Sequence, residues 1–424
     1  MAPSTAVDPK VTALQRLFKA FHYRDFRLMF IGACVSSVGT WMQILAQAWL
    51  VLTITQSPFY LGLDAFLAGI PVFLFSILGG VVADRVERRL VLLCSQYIQM
   101  TSAGILTLLL IFHVVRVPAG PHQLGSGIWY ILCLSFVSGT AQSFGGPAYS
   151  ALIPTLVKKE DMPNAIALNS IQFNLARVLG PAIGGVVFDR MGATWCFGLN
   201  SISFLAPVIS LTILTTRYLP EKTGETVWAS MKQGFRFIRH QGAMAALIVL
   251  AFAMTALAFP MMTFLPWFAK SVFTGGPWTF TLFLCCSGIG SVLGSLGVAW
   301  LGNAKHKGRI ALSSLAWLGV GITLFALSRS VALSCVVLFF TGIGLMTVFA
   351  NVNSLVQLIT PNEMRGRVMS VYNSAFRGGM PMGNLLTGWL VPMFTAPIVL
   401  ALNGIVLVLL ALYFLLVQRK VATL

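Results

Sequence analysis

Apolar stretches long enough to cross a membrane recur along this 424-residue chain, and they constrain its fold more than any other feature. A helix of about 20 residues spans the roughly 30 Å hydrocarbon layer of a bilayer. Hydrophobic residues make up 57% of the sequence and charged residues only 9%, far from the balance of soluble domains. Because backbone polar groups find no partner in lipid, the sequence predicts an all-α integral membrane protein.

Charges, glycines and prolines divide the apolar sequence into twelve predicted spans, which form two six-helix halves. The predicted spans are 26–52, 58–83, 90–113, 128–153, 164–188, 193–216, 242–269, 278–302, 309–328, 331–358, 366–391 and 396–417. The predicted organisation is a leader (1–25), an N-terminal half (26–217), a linker (218–241), a C-terminal half (242–418) and a tail (419–424).

The net charge of +17 is scattered over short loops, so we expect no nucleic-acid partner. Most of the 28 Lys and Arg residues fall on the side that holds both ends of the chain, which predicts that both termini are cytoplasmic. The linker is predicted to form an amphipathic helix on the inner leaflet, although a plain solvated helix is the alternative. Its apolar face would hold Trp228, Met231, Phe235 and Ile238, beside Lys232, Arg236 and Arg239.

The two halves repeat one another. Arg177 and Pro181 of the fifth span stand 200 residues before Arg377 and Pro381 of the eleventh. The loops after spans two and eight, ADRVERRL and GNAKHKGRI, are both short and basic. Two matched halves around a central ligand site are the usual plan of secondary transporters, so the repeat favours a transporter.

The loop sequence identifies a family resemblance. Gly80 followed by DRVERR at 84–89 resembles the signature between helices two and three of the major facilitator superfamily, with Glu87 departing from the commonest residue. Residues 151–187 resemble the drug and siderophore exporter branch. The resemblance implies a secondary active exporter of small amphipathic organic molecules that works by alternating access.

Two further clusters gain roles from this resemblance. Asp84 ends a helix, where the macrodipole is already negative, so it needs a positive partner such as the start of helix eleven. The expected cytoplasmic latch comprises Gly80, Asp84, Arg85, Arg88, Arg89, Glu363, Arg365 and Arg367, although the basic residues could serve only to fix topology. An expected pivot in helix five, Gly180, Pro181, Gly184 and Gly185, resembles the antiporter signature, with Ala167 and Ala176 replacing two of its glycines.

Polar side chains inside the spans are candidates for a central site. Arg177 and Arg377 lie near the middle of their spans, where a lone Arg is costly and marks a pathway or a pairing, unless it caps carbonyls freed by a proline. The amides either bind substrate or join helices. The candidate cavity residues are Arg177, Arg377, Gln43, Gln47, Asn169, Asn174, Asn351 and Asn373.

Asp64 is the expected proton carrier, because a carboxyl in a low-dielectric site readily takes up a proton. Two observations weigh against proton coupling. An acid this close to the predicted outer surface could be solvated, and Ser135 stands where related antiporters often place a basic residue.

The sequence leaves rival functions open. An importer of the same fold is one, and a pump subunit or receptor without transport of its own is another. The chain contains no Gly-x-x-x-x-Gly-Lys-Ser/Thr phosphate loop, no His-Glu-x-x-His and no Gly-x-Ser-x-Gly, so we expect no enzyme. We expect no cofactor and no metal. The expected partners are a small-molecule substrate, the lipid bilayer and protons, and the expected form is a monomer in the cytoplasmic (inner) membrane.

Overall fold

Long helices joined by short turns make up the fold, which is given by a computed structural model that describes residues 18–116, 127–215, 233, 235–239, 241–301 and 306–424. The N-terminal half contains α1 (Arg24–Thr55), α2 (Pro58–Arg85), α3 (Arg88–Ile111), α4 (Ile128–Leu152), α5 (Met162–Met191) and α6 (Ala193–Ile213). The C-terminal half contains α7 (Gly242–Trp267), α8 (Pro277–Leu301), α9 (Lys307–Leu327), α10 (Val331–Ile359), α11 (Arg365–Phe394) and α12 (Ala396–Leu412).

Local chemistry ends and restarts these helices within a few residues. Gln56 adopts a left-handed conformation with a φ of 48°, which stops α1, and Pro58 occupies the first turn of α2, where a missing N–H does no harm. Gly192, with a φ of 85°, separates α5 from α6 in the same way. Such short turns force consecutive helices to run antiparallel.

The predicted sixth span, 193–216, corresponds to the membrane-length helix Ala193–Ile213, which has one interruption. The helix is two pieces, Ala193–Ser203 and Leu205–Ile213, which meet at Phe204. Pro207 explains the interruption, because it has no N–H to bond the carbonyl of Ser203 four positions earlier. The Ser203 hydroxyl also bonds the Asn200 carbonyl at 2.7 Å, which competes with the helical pattern.

Ten of these helices are long and apolar enough to cross a membrane. The other two, α4 and α11, have 25 and 30 residues and are therefore long enough, but they are not among these ten. That α4 and α11 also cross, which the twelve-span topology requires, stays a prediction.

The packing repeats between the halves. In the N-terminal half α2 packs on α4, α1 packs on α5 and α6, and α3 packs on α4 and α6. Adding six to each helix number gives the contacts of the C-terminal half: α8 on α10, α7 on α11 and α12, and α9 on α10 and α12. The repeat in sequence is thus a repeat in structure.

Two main contacts join the halves in the described parts of the chain, α2 with α11 and α5 with α8. The same shift by six helices turns the α2–α11 contact into the α5–α8 contact, so the two contacts are equivalent. We call the end of the bundle that holds the start of α1 and the start of α11 the termini end, and the opposite end the far end. In α2, Gly69 packs on Pro381 in the far half of the interface, whereas a Cβ at Gly80 would meet no atom within 4 Å. The structure is therefore closed at the far end and open at the termini end.

Contacts at the termini end anchor both ends of the described chain. Tyr23 donates to Asp161 at 2.8 Å, which joins the start of α1 to the start of α5. Val421 and Ala422 are buried, and Val421 packs on Gly308 at the start of α9. The predicted tail is therefore part of the packed C-terminal half in this conformation.

Little of the predicted linker helix can be described. Trp228, Met231 and Lys232 lie outside the described residues. A helical stretch covers 235–239, in which Ile238 is buried and Phe235 is 62% exposed. Arg236 and Arg239 are exposed as well. The predicted contact of Phe235 with lipid stays a prediction.

Candidate functional site

Asp64 lies at the centre of a polar cluster inside the N-terminal half. The Gln47 side-chain amide donates to both carboxylate oxygens, at 3.1 and 2.9 Å, and the Ser135 hydroxyl donates to Asp64 Oδ1 at 2.5 Å. Gln47 also donates to the Ser135 oxygen at 2.8 Å. In the described parts of the chain Asp64 has no basic partner, so neutral donors alone hold this carboxyl.

The cluster continues across the half toward α6. The Gln43 amide donates to Gln47 Oε1 at 3.4 Å, and the Asn200 amide donates to Gln43 Oε1 at 2.6 Å. Ser203 donates to Asn200 Oδ1 at 3.1 Å. A continuous line of hydrogen bonds thus links α6, α1, α2 and α4 around Asp64.

The sequence analysis did not identify two members of this line, Ser135 and Asn200, as site residues. Ser135 was noted only as a position without a basic residue, yet its hydroxyl bonds Asp64 directly. Asn200 belongs to no recognisable sequence motif, and its hydrogen bond with Gln43 joins residues 157 positions apart. Only the packing of α6 on α1 brings it there. The predicted cavity residues Gln43 and Gln47 belong to this line and contact other helices in the described conformation.

Arg177 lies on α5 with its guanidinium carbon 5.6 Å from the centroid of the Trp41 ring on α1. Arg177 thus makes a cation–π contact with Trp41, and in the described chain it forms no ion pair. Phe173, one turn earlier, meets the same Trp41 ring edge-on at 6.4 Å between centroids. The arginine therefore retains an unneutralised positive charge.

Arg377, the counterpart on α11, is exposed, and so is Asn373 one turn before it. Its neighbour Phe376 packs inside the C-terminal half on Phe349, with 4.9 Å between ring centroids. No described acid pairs with Arg377. The two arginines are thus alike in lacking an ion pair and different in their surroundings.

The remaining predicted amides, Asn169, Asn174 and Asn351, bond either a neighbouring helix or their own helix. Tyr149 of α4 donates to Asn169 Oδ1 at 2.7 Å, so Asn169 joins α4 to α5. Asn174 and Asn351 each donate to a carbonyl of their own helix at 2.8 Å, those of Ser170 and Thr347. Asn351 is buried. Asn174 lies three positions before Arg177 on α5.

In the described conformation the predicted latch residue Asp84 pairs within its own half, and not with the start of α11. The Asp84 side chain is 60% exposed, and its ion pair is with Arg88 of its own half, at 3.9 Å. Glu363 and Arg365, at the start of α11, are exposed, and Arg85 is exposed too. Arg367 is half-buried, with Nη1 at 3.6 Å from Met364 Sδ. This arrangement agrees with the empty space beside Gly80, and a latch between the halves stays a prediction.

Arg88 and Arg89 have structural partners of their own. Arg88 donates to the Ala151 carbonyl at 2.9 Å, and so binds the end of α4. Arg89 donates to the carbonyls of Thr212 and Leu214 at 2.6 and 3.2 Å, at the end of α6. Cations bonded to the last carbonyls of helices are favourable, because those groups have no partner within the helix. These two arginines hold the N-terminal half together in the open state.

The predicted pivot residues of α5 occupy its tightest contacts. A Cβ at Gly184 would lie 2.9 Å from Met42 Cγ, and Gly180 packs still more closely on Trp41. Gly185 instead faces Thr281 of α8, across the junction between the halves. Pro181 is buried among them. Small residues thus let α5 contact α1 and the opposite half at the same level.

Comparison with known families defines the class of protein. The family described as transmembrane secretion effector, of the major facilitator superfamily, matches residues 17–423. The chain belongs to this family, which confirms the resemblance found in the signature around Asp84. It is a multi-pass membrane transporter with a small-molecule substrate, and not an enzyme.

Similar proteins include characterised exporters. The multidrug efflux pump Tap of Mycolicibacterium fortuitum is 25% identical over 85% of this chain and 88% of its own length. The enterobactin exporter EntS of Salmonella typhimurium is 26% identical over 92% of each chain. Among solved structures, a D-xylose–proton symporter aligns with a TM-score of 0.72 over 92% of this chain and 97% of its own, at 14% identity. The last likeness shows the fold.

Proposed function

We propose that this transporter is a secondary active exporter of small amphipathic organic molecules and works by alternating access. The observation that carries the proposal is the pair of equivalent junctions between the halves, α2 with α11 and α5 with α8. Both can open or close when one half rocks on the other, which would expose a central site to each side in turn. The named activities of the relatives Tap and EntS, drug efflux and enterobactin export, favour the outward direction.

Asp64 is the residue proposed to couple transport to protons. Its carboxyl accepts hydrogen bonds from Gln47 and Ser135 and has no described basic partner, so it can exchange a proton without breaking an ion pair. A proton bound there removes the charge that these donors hold. Proton release on the opposite side would then complete the cycle of an antiporter.

The proposed setting is the cytoplasmic (inner) membrane, with both termini cytoplasmic and the chain working as a monomer. The basic residues around Arg88 and Arg365 lie at the termini end, and basic loops favour the cytoplasmic side. Under this topology the described conformation is open to the cytoplasm, ready to receive a molecule for export.

Transport into everted membrane vesicles tests the function and its direction together. Vesicles from cells that produce this chain would be given a pH gradient, acid inside, with no ATP, and either enterobactin or ethidium as the probe. The proposal predicts accumulation of a probe in everted vesicles that collapses with the gradient. Accumulation only in right-side-out vesicles would establish an importer, and a strict need for ATP would indicate a pump subunit.

A further inference from the structure

One face of α5 differs sharply from the face that meets lipid. Leu175 and Leu179 are exposed apolar residues, as expected for lipid contact. Arg177 lies two positions from each, which is about 200° around the helix, so it lies on the opposite side. Phe173, one turn before Arg177, shares its side and is nevertheless 55% exposed. The described helices therefore leave most of the Phe173 ring uncovered.

Three side chains make this inner face a cation–aromatic surface. Arg177 packs over the Trp41 ring at 5.6 Å, and Phe173 contacts the same ring edge-on. Trp41 is itself fixed by the close approach of Gly180. A planar ligand could lie along the exposed Phe173 ring while its acidic group bonds the arginine, which presents paired N–H donors.

The opposite half offers a polar counterpart. On α11, Leu386 is an exposed apolar residue, and Arg377 lies nine positions before it, about 180° around the helix. Asn373 lies one turn before Arg377 and is exposed with it. The equivalent position in α5 is Phe173. The repeat thus carries the same arginine in both halves, but an aromatic ring beside one and an amide beside the other.

The charge of this region is not balanced within the described chain. Neither arginine has an ion pair there, and the Asp64 carboxyl is held by Gln47 and Ser135. A cation–π contact leaves the charge of Arg177 in place. Since an unpaired arginine in a span is costly, an anionic ligand would relieve both sites.

We infer that Arg177, Trp41 and Phe173 bind the aromatic, acidic end of an organic anion, and that Arg377 and Asn373 bind a second acidic or polar end. The ligand is thereby oriented, with its aromatic end on the N-terminal half. It contacts both halves, so a diacid favours their approach more than a monoacid does. This inference rests on the proposed transport function and names its substrate class.

Calorimetric titration of the purified full-length chain tests this assignment. The probes are naphthalene-2,6-dicarboxylate, 2-naphthoate and 2-naphthamide, at constant ionic strength. They share one ring system and differ in charge. The expected order of affinity is dicarboxylate, then naphthoate, then amide, with at least about tenfold between the first and the last. Equal affinity for naphthoate and amide, or no binding of any probe, would overturn the inference.

Matched variants locate the binding. Arg177→Gln is expected to weaken naphthoate binding about tenfold, and Arg377→Gln to weaken the dicarboxylate more than the naphthoate. Trp41→Leu should weaken all three probes. Arg190→Gln, an exposed arginine near the end of α5, is the control and should change none. If Arg177→Gln binds 2-naphthamide as tightly as the parent chain, the variant is folded. If it also binds 2-naphthoate as tightly as the parent chain, the assignment is wrong.

The outcome separates this inference from the proposed function. Binding of the anionic probes without any transport in vesicles would support the binding site and reject the proposed export function. Transport by a chain that binds all three probes with equal affinity would support the export function and reject the anion-binding site.

Discussion

Gly62 of α2 lies directly against Gly388 of α11, because a Cβ at Gly62 would come within 2.9 Å of the Gly388 Cα atom. About two and three turns further along α2, Gly69 packs on Pro381 and Phe73 packs on Gly378. Backbones this close leave no room for a side chain, so the two halves are in van der Waals contact at the far end. The same face of α2 is open around Gly80.

Methyl groups at Gly62 and Gly80 are predicted to shift the conformation in opposite directions. Gly62→Ala places a methyl group in the closed junction and should favour the state that is open at the far end. Gly80→Ala leaves the described state unaffected and should disfavour the state in which the termini end is packed. Reaction of a cysteine placed at Asn373 with a water-soluble maleimide, added from the cytoplasmic side, measures the difference.

Gly276→Ala is the control for that pair, because a Cβ at Gly276 meets no atom within 4 Å. We expect the labelling rate to fall severalfold in Gly62→Ala and to hold or rise in Gly80→Ala. If both substitutions moved the rate in the same direction, the junction would not act as a gate.

Asp84→Asn is predicted to slow transport about tenfold or more while expression stays normal. In the described state Asp84 pairs weakly with Arg88 and is mostly exposed, so the substitution should barely alter stability. Its effect belongs to the state in which the start of α11 approaches. Initial rates in vesicles check this, and an Asp84→Arg, Arg365→Asp double variant should recover part of the rate that Asp84→Arg loses. Full activity of Asp84→Asn would reject the latch.

Arg89→Gln is predicted to lower stability and to leave the transport rate nearly unchanged, unlike Asp84→Asn. The arginine bonds two carbonyls at the end of α6, so its loss should cost about 1 kcal/mol of stability and leave little effect on the rate per folded molecule. Thermal unfolding in detergent, with Lys158→Gln as an exposed control, measures it. A stable Arg89→Gln chain with a slow rate would instead place Arg89 in the gate.

Asp64→Asn is predicted to abolish the response of transport to an imposed pH gradient. The amide keeps the size of the carboxyl but cannot carry the proton. Asp161→Asn, at the start of α5, is the matched control, because Asp161 bonds Tyr23 outside the interior cluster. Transport is compared with and without the gradient in each variant. An unaltered response of Asp64→Asn would exclude it as the carrier.

The sequence predicts much of the fold because membrane-spanning helices are a local property. Length, apolarity and turn residues such as Gly192 and Pro58 place their ends within a few positions. The repeat of Arg177 and Arg377 predicts the two halves as well. Local detail inside a span is harder to predict, because Pro207 interrupts the helix of the sixth span in a stretch that is apolar throughout.

The candidate site could be predicted only in part, because its partners are distant in sequence. A lone acid in a span, Asp64, is visible in the sequence, but its contacts with Ser135 and Gln47 depend on how α4 and α1 pack on α2. Likewise Arg177 is conspicuous, whereas Trp41 resembles many other aromatic residues of the chain until the contact is seen. Packing, not composition, selects such partners.

Alternating access itself can be tested by two distances in one molecule. In a chain whose seven cysteines are replaced by serine, spin labels at Ser57→Cys and Thr395→Cys report the far end, and labels at Val86→Cys and Gly366→Cys report the termini end. Pulsed electron paramagnetic resonance would compare the chain at high and low pH and with Gly62→Ala. Alternating access predicts that one distance lengthens whenever the other shortens. Two distances that stay fixed, or that change together, would contradict it.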